Sequence, residues 1–422
     1  MSILIKNVQL NGKETHIYIE ENRISEIGKK LEAHKEMEGK GKIAFPGFYN
    51  THTHAAMTLL RGYADDMQLM PWLQEKIWPL EARLQPEDVY WGTKLAILEM
   101  IKTGTVFFND MYFFMEKVVD AVEEMGVRAA LSYGFIDLFD EEKREKEIKK
   151  TENLVNYIKN KRNSRIMGAV GPHAVYTVSK EGLQWCKEFA AEKNIFIHIH
   201  VSETEEENRT CQERYGMSPF KLLDSVGILN KRCVAAHSVW VGEKEIQLIA
   251  RKGAVVSFNP TSNMKLAVGS MLKYREMKEK SVHLTLGTDG CSSNNNLDMV
   301  EEMKFAAIGL KSFYKDPELA PAAEVFKIAT ENGAKAFELN GGKVAEGHLA
   351  DLILVDEKTT FFTPNHNPIS NLVYASPGSV VDTTICHGKV LMENRKVKGE
   401  EEILFKARER AKKLLFRCEE SF

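Results

Sequence analysis

The sequence predicts an α/β fold: a (β/α)8 barrel of the TIM type, accompanied by a small β-sandwich built from both chain ends. Three observations carry this prediction. Between about positions 42 and 341, eight apolar strand-like runs alternate with longer amphipathic stretches, the pattern of successive parallel βα units. On either side of that region short alternating strands follow one another without a helix, so two strand-rich ends are left to pair with each other. At 422 residues the chain has room for a barrel of about 250 residues and a second unit.

Residues 3–10 and 15–27 alternate apolar and polar side chains around the turn-forming steps Asn11-Gly12 and Glu21-Asn22, as hairpin strands do. The eight barrel runs are KIAFPGFYNTHTH, TVFFNDMYF, VRAALSYGFID, IMGAVGPHAVY, IFIHIHVSE, CVAAHSVWV, AVVSFNPTSN and VHLTLGTDG. Segments 87–102, 115–125 and 181–193 repeat their apolar residues every three or four positions and are assigned to the outer ring of helices. Strand-like text returns at 347–356 and 380–396, and 400–416 reads as a charged terminal helix. The expected organisation is therefore a composite sandwich from 1–45 and 345–400, a barrel over 46–344, and a C-terminal helix over 401–422. The charge run at 144–152 reads as a solvated helix face without a function.

A formal charge of -3, with 43% hydrophobic and 28% charged residues, describes a soluble globular protein without the basic excess that nucleic acid requires. The six cysteines are scattered and form no CxxC pair, so neither a disulfide framework nor a cysteine zinc site is indicated. No run of about 18 apolar residues occurs, and the N-terminus lacks the apolar core of a signal peptide. The expectation is a cytoplasmic protein that acts on a small molecule, with no nucleic-acid or membrane partner.

In such a barrel the reactive groups stand at the C-terminal ends of the strands. His52 and His54 close the first run, and a spacing of two puts both imidazoles on one face of an extended segment. The fifth run supplies His198 and His200, followed by Glu203. His200 lies nearer the strand end, whereas His198 reads as a deeper histidine satisfied by hydrogen bonds. His237 closes the sixth run and Asp289 the eighth. Three neutral imidazoles and one carboxylate suit zinc or iron(II). His283 lies too deep in the eighth run to join them, and Asn294, Asn295 and Asn296 read as a turn.

FPGFYNTHTH, the H-x-x-E of His200 to Glu203, His237 and LGTDG together resemble the amidohydrolase superfamily across essentially the whole chain, including the closing segments EGHLADLILVD and HGKVL. Within it, THTHAAMTLLRGYADD, Trp72-Leu73, Glu81, GPHAVYTVS and GTDGCSSNNNLDM resemble the methylthioadenosine/S-adenosylhomocysteine deaminase group. The resemblance implies that His52, His54, His200 and Asp289 hold a metal, that His237 stands beside the water on it, and that Glu203 shuttles protons. It also implies that Glu81, His173 and Glu203 contact substrate, with Trp72 as a wall of the pocket. The run GAVGPHAVY has no lysine to bridge two ions, so one zinc is expected, with iron(II) as the alternative.

The implied reaction is hydrolytic deamination of an adenosine-type nucleoside at C6 by a metal-activated hydroxide. The third run, LSYGFID, offers Tyr133 and no arginine to a homocysteine carboxylate, which favours small 5′-groups; Arg144 in the following segment is the candidate cation. Two other readings stand beside this one: a deaminase of guanine, cytosine or a triazine using the same metal site, and a non-catalytic assembly protein of the same fold. Exposed Met- and Phe-containing stretches are compatible with a homo-oligomer.

Overall fold

A computed structural model of the chain describes residues 2–419. Five strands come first: β1 (Ser2–Leu10), β2 (Lys13–Glu20), β3 (Arg23–Ile27), β4 (Lys35–Glu38) and β5 (Lys42–Pro46). The turns between β1, β2 and β3 place Asn11 and Glu21 at positive φ, the conformation that tight hairpins demand. The barrel follows, with β6 (Phe48–Thr53), β7 (Thr105–Tyr112), β8 (Arg128–Phe135), β9 (Ile166–Pro172), β10 (Phe196–Val201), β11 (Cys233–His237), β12 (Val255–Phe258) and β13 (His283–Leu286). β14 (Leu352–Asp356), β15 (Val381–Cys386), β16 (Lys389–Glu393) and β17 (Lys396–Val397) return to the first sheet.

The eight barrel strands lie in sequential order and pair in parallel. β13 approaches β6 through side chains and loop backbone: Thr51 Oγ1 donates to the Leu286 carbonyl at 3.0 Å, and the Asp289 N–H donates to the His52 carbonyl at 3.0 Å. Outer helices occupy Pro86–Thr103, Met115–Met125 and Lys180–Lys193, within a residue or so of the amphipathic segments read from the sequence.

Both chain ends form one nine-stranded mixed sheet, in the order β17-β16-β15-β14-β5-β1-β2-β3, with β4 also on β1. Rather than two stacked sheets it is a single rolled one. Its first strands return to the segment before β14, where the Ile24 N–H donates to the His348 carbonyl at 2.9 Å and Arg23 bridges Leu349. The roll encloses its own core, which includes Ile5, Ile19, Leu352 and Leu354.

The first strand-like run is two strands. Pro46 ends the antiparallel ladder of β5 on β14, and Gly47 turns the chain into the barrel. A Cβ at Gly47 would stand 2.4 Å from Val106 Cγ1, so only glycine fits this close approach.

A buried ion pair joins sheet to barrel. Arg128 Nε on β8 donates to Asp351 Oδ2 at 2.7 Å, with the two side chains 4% and 0% exposed. The His387 N–H donates to Asp351 Oδ1 at 2.6 Å, and Arg128 Nη2 donates to His387 Nδ1 at 2.9 Å. Removing one partner of such a pair leaves an uncompensated buried charge, at a cost of about 3–5 kcal/mol. Asp351→Ala is therefore expected to lower the thermal unfolding midpoint by several degrees, whereas a melting curve matching the parent's would show the pair to be dispensable.

The terminal helix, Glu400–Glu419, lies on the helix Pro86–Thr103, and its Arg410 and Arg417 pair with the buried Asp88. Positions 420–422 of the expected helix, and position 1, lie outside the described residues. Among the described residues no helix is long and apolar enough to cross a membrane.

Candidate metal centre and active site

His52 sits on β6 and His54 immediately after it; His200 lies on β10, His237 ends β11, and Asp289 follows β13. All five stand at the same end of the barrel. His237 and Asp289 have φ of 69° and 61°, a left-handed backbone that few residues other than glycine adopt without tertiary support. The support at Asp289 is visible in LGTDG, where a Cβ on Gly287 would meet Asn259 Oδ1 at 2.6 Å and the His52 nitrogen at 2.8 Å.

Hydrogen bonds fix which ring nitrogens face inward. His54 Nδ1 meets the Met111 carbonyl at 2.7 Å, and His200 Nδ1 meets the His173 carbonyl at 2.8 Å. A carbonyl can only accept, so each Nδ1 carries the proton and each Nε2 presents a lone pair. His52 Nδ1 is paired with His198 Nε2 at 2.7 Å, while His52 Nε2 is buried without a hydrogen-bond partner.

The inward atoms crowd together. His54 Nε2 and His200 Nε2 are 3.1 Å apart, and Asp289 Oδ1 lies 3.4 Å from both His52 Nε2 and His54 Nε2. Lone pairs at these distances repel unless a cation lies between them. Four ligands at about 2.0–2.1 Å around a tetrahedral zinc would stand about 3.3 Å from one another. The donor set thus fits a single cation of the zinc class, and His52, His54 and His200 fall within 4.8 Å of one another, as do His52, His237 and Asp289.

Electrostatics prepare the same atoms. Burial, followed by repulsion from neighbouring imidazoles, holds His200 well below the ordinary histidine range. Burial also lowers His52, in spite of Asp289 beside it. Against the cost of burial, His52, His54 and His237 keep the Asp289 carboxyl well below its usual range. Neutral imidazoles and an ionised carboxylate are the forms that bind metal.

Glu203 behaves in the opposite way. Burial, the Asp289 carboxylate and Glu207 push it well above the usual carboxylate range, which favours its protonated form. Its Oε1 lies 3.7 Å from His237 Nδ1, and its backbone N–H donates to Glu207 Oε2 at 2.9 Å.

A cleft opens over this cluster, and Trp72, Glu81, His173 and Glu203 all line it. Burial raises Glu81 to about 7 against the opposing pull of Tyr112 and His54, and its Oε1 is buried without a partner. Thr177 Oγ1 donates to the Ala174 carbonyl at 3.2 Å and so accepts from His173 Nδ1 at 2.9 Å. His173 Nε2 is thereby left as an acceptor, and burial with repulsion from His54 and His52 takes this ring down to about 3.

Several residues that hold this arrangement were not singled out from the sequence. Ser262 and Ser293 donate to Asp289 Oδ2 at 2.6 and 2.8 Å, and Asn263 meets His237 Nδ1 at 2.9 Å. The one available signal was the polar cluster NPTSN at the end of the seventh run. Asn294, read as a turn, is buried and donates to the Thr288 carbonyl at 2.7 Å. His198 is hydrogen-bonded as expected, but its partner is a site histidine. His283 is remote, with Nε2 on the Asn332 carbonyl at 2.9 Å.

The charge run is a solvated helix face only in part, since Glu147 is buried. Glu147 and Lys150 lie on the helix Glu141–Lys161 and face a second cavity, which shares Trp78, Glu81, Phe113 and Ile136 with the first. Lys150 Nζ donates to Tyr133 Oη and Glu147 Oε1, each at 2.9 Å. Arg144 instead meets Ser179 Oγ at 3.4 Å, and the cations lining the cavity are Lys143 and Lys150.

Residues 43–391 match the model of the amidohydrolase family. The chain belongs to that family. Within it, the chain is 53% identical to the 5′-deoxyadenosine deaminase of Methanoregula boonei, over 99% of this chain and 96% of that protein. It is 49% identical to 5-methylthioadenosine/S-adenosylhomocysteine deaminase 1 of Archaeoglobus fulgidus, over 98% and 99%. Among solved structures, a zinc-bound adenosine deaminase from Xanthomonas campestris superposes with a TM-score of 0.93 at 30% identity, covering 98% of each chain. The amidohydrolase resemblance read from the THTH and LGTDG motifs is therefore a true family relationship.

Proposed function

We propose that this amidohydrolase deaminates adenosine-type nucleosides at C6, taking 5′-deoxyadenosine, methylthioadenosine, S-adenosylhomocysteine and adenosine to their inosine analogues with release of ammonia. The carrying observation is one constellation: His52, His54, His200 and Asp289 clustered with their donor atoms converging, beside a Glu203 raised well above the usual carboxylate range, in a cleft where Glu81 offers an unpartnered oxygen. The relatives named for these same substrates support it.

Those four residues would hold a zinc ion, with iron(II) as the alternative, which when bound would supply a nucleophile by lowering the pKa of a water to about 7. Glu203 donates its proton to purine N1 as C6 is attacked. Asp289 takes up the proton released at the attacking oxygen and returns it to the departing amine. His237, whose Nδ1 lies against the side-chain amides of Asn263 and Asn259, stands beside the developing oxyanion. Glu81 accepts from the ribose hydroxyls and His173 Nε2 from a further substrate donor, while Trp72 keeps water from the reacting face. A site built around an unpartnered carboxylate rejects ligands lacking the matching hydroxyl more strongly than apolar contact does.

With the ribose on Glu81, the 5′ side faces the second cavity. The apolar part of its wall, Phe113, Phe114 and Leu138, suits hydrogen or methylthio substituents, and Lys150 meets the carboxylate of a longer tail. Lys150 is 53% exposed, so its hydrogen bond is worth about 10-fold rather than the full value of a buried charged bond. Lys150→Met is expected to lower kcat/KM for S-adenosylhomocysteine about 10-fold and to leave 5′-deoxyadenosine unchanged. Equal loss on both substrates would remove Lys150 from tail recognition.

The test of the activity is ammonia release by the zinc-loaded protein from the four nucleosides and from adenine, guanine, cytosine and a triazine. Turnover of the nucleosides without adenine supports the reading. Release from the free bases or the triazine instead overturns it.

A further inference from the structure

Glu302 lies on the helix Met299–Tyr314 with 0% exposure, and none of the steps above uses it. Both of its carboxyl oxygens accept from nitrogen donors. Asn294 Nδ2 donates to Oε1 at 2.5 Å, and the Thr261 backbone N–H donates to Oε2 at 3.3 Å.

The two donors belong to different segments, and each segment reaches the metal centre. Thr261 lies in the short helix Pro260–Lys265 after β12; the next two residues send Ser262 Oγ to Asp289 Oδ2 and Asn263 Nδ2 to His237 Nδ1. Asn294 lies in the loop after Asp289, where its neighbour Ser293 holds the same Oδ2. Asn294 also binds the Thr288 carbonyl, directly before Asp289. The outer oxygen of Asp289 thus accepts one hydroxyl from each segment, which leaves Oδ1 toward His52 and His54.

We infer that Glu302 is a positioning residue: one carboxyl clasps both segments and thereby orients Asp289 and His237 together. The inference rests on reading Asp289 as a metal ligand. An acid is needed because both partners are N–H donors. A glutamine of the same shape keeps one acceptor oxygen and turns its own NH2 group on the other donor. Losing either half of the clasp frees one of the two hydroxyls that hold Asp289.

The test is zinc affinity of Glu302→Gln, measured by competition with a chromogenic chelator, alongside kcat and KM. Zinc affinity is expected to fall about 10- to 100-fold, the usual cost of disturbing the hydrogen bonds behind a metal ligand. kcat falls with it, while KM for 5′-deoxyadenosine stays within about 3-fold. The zinc measurement needs no substrate, so it stands or falls separately from the proposed activity. Asn294→Ala, a loop change, is expected to give the same loss and carries the test should Glu302→Gln fail to fold. In the Asn294→Ala background Glu302→Gln adds less than about 3-fold, because the clasp is already broken. Parent-like zinc affinity in either variant, or independent multiplication of the two effects, overturns the proposal.

Discussion

Glu203→Gln is expected to turn over 5′-deoxyadenosine at least about 100-fold more slowly than the parent and to retain its full complement of zinc. The magnitude follows from what a positioned acid contributes, about 10²- to 10⁴-fold. Burial, Asp289 and Glu207 raise Glu203 well above the usual carboxylate range, which favours the acid form, and glutamine has no acidic proton to give. The metal is retained because none of the nitrogen and oxygen atoms that converge near Asp289 belongs to Glu203. Single-turnover rates together with metal analysis check both halves. Parent-like turnover would remove Glu203 from the chemistry, and loss of zinc would make it part of the metal site instead.

His200→Ala is expected to lose metal and activity together. Disturbing only an outer hydrogen-bond partner of a zinc ligand costs about 10- to 100-fold in affinity, so deleting the ligand itself costs more. The His200 imidazole is held by the His173 carbonyl at 2.8 Å and faces His54 Nε2 at 3.1 Å, so truncation to alanine removes one of the converging nitrogen donors. Zinc content after dialysis against a weak chelator reads the effect directly. A variant that kept stoichiometric zinc would show that the cation sits elsewhere in the cluster. The two variants therefore fail differently, Glu203→Gln in proton transfer and His200→Ala in coordination.

Much of the architecture was legible because its signals are local. Alternating runs separated by amphipathic segments need only neighbouring residues to be recognised, and a histidine or aspartate at the end of such a run falls at one rim of the barrel whatever the loops do. His52, His54, His200, His237 and Asp289 were singled out in this way. The division at Pro46-Gly47 was less legible, since β5 and β6 form one continuous apolar run and differ only in which sheet each joins. Lys150 and Glu147 were hidden for a related reason. A charge run on a helix looks solvated from its spacing, and only packing against Tyr133 turns part of it toward a cavity.

By itself the sequence determined the barrel, the rolled sheet's two contributing ends and the donor atoms at the strand ends, because side-chain periodicity and residue chemistry are properties of short stretches. Only the tertiary structure decided which nitrogen of each histidine faces inward, what holds Asp289 and His237, and where the second cavity lies. Each of these depends on a hydrogen bond or contact between residues far apart in the chain, such as His52 with His198 or Glu302 with Thr261. A local pattern carries no record of a partner that only folding brings near.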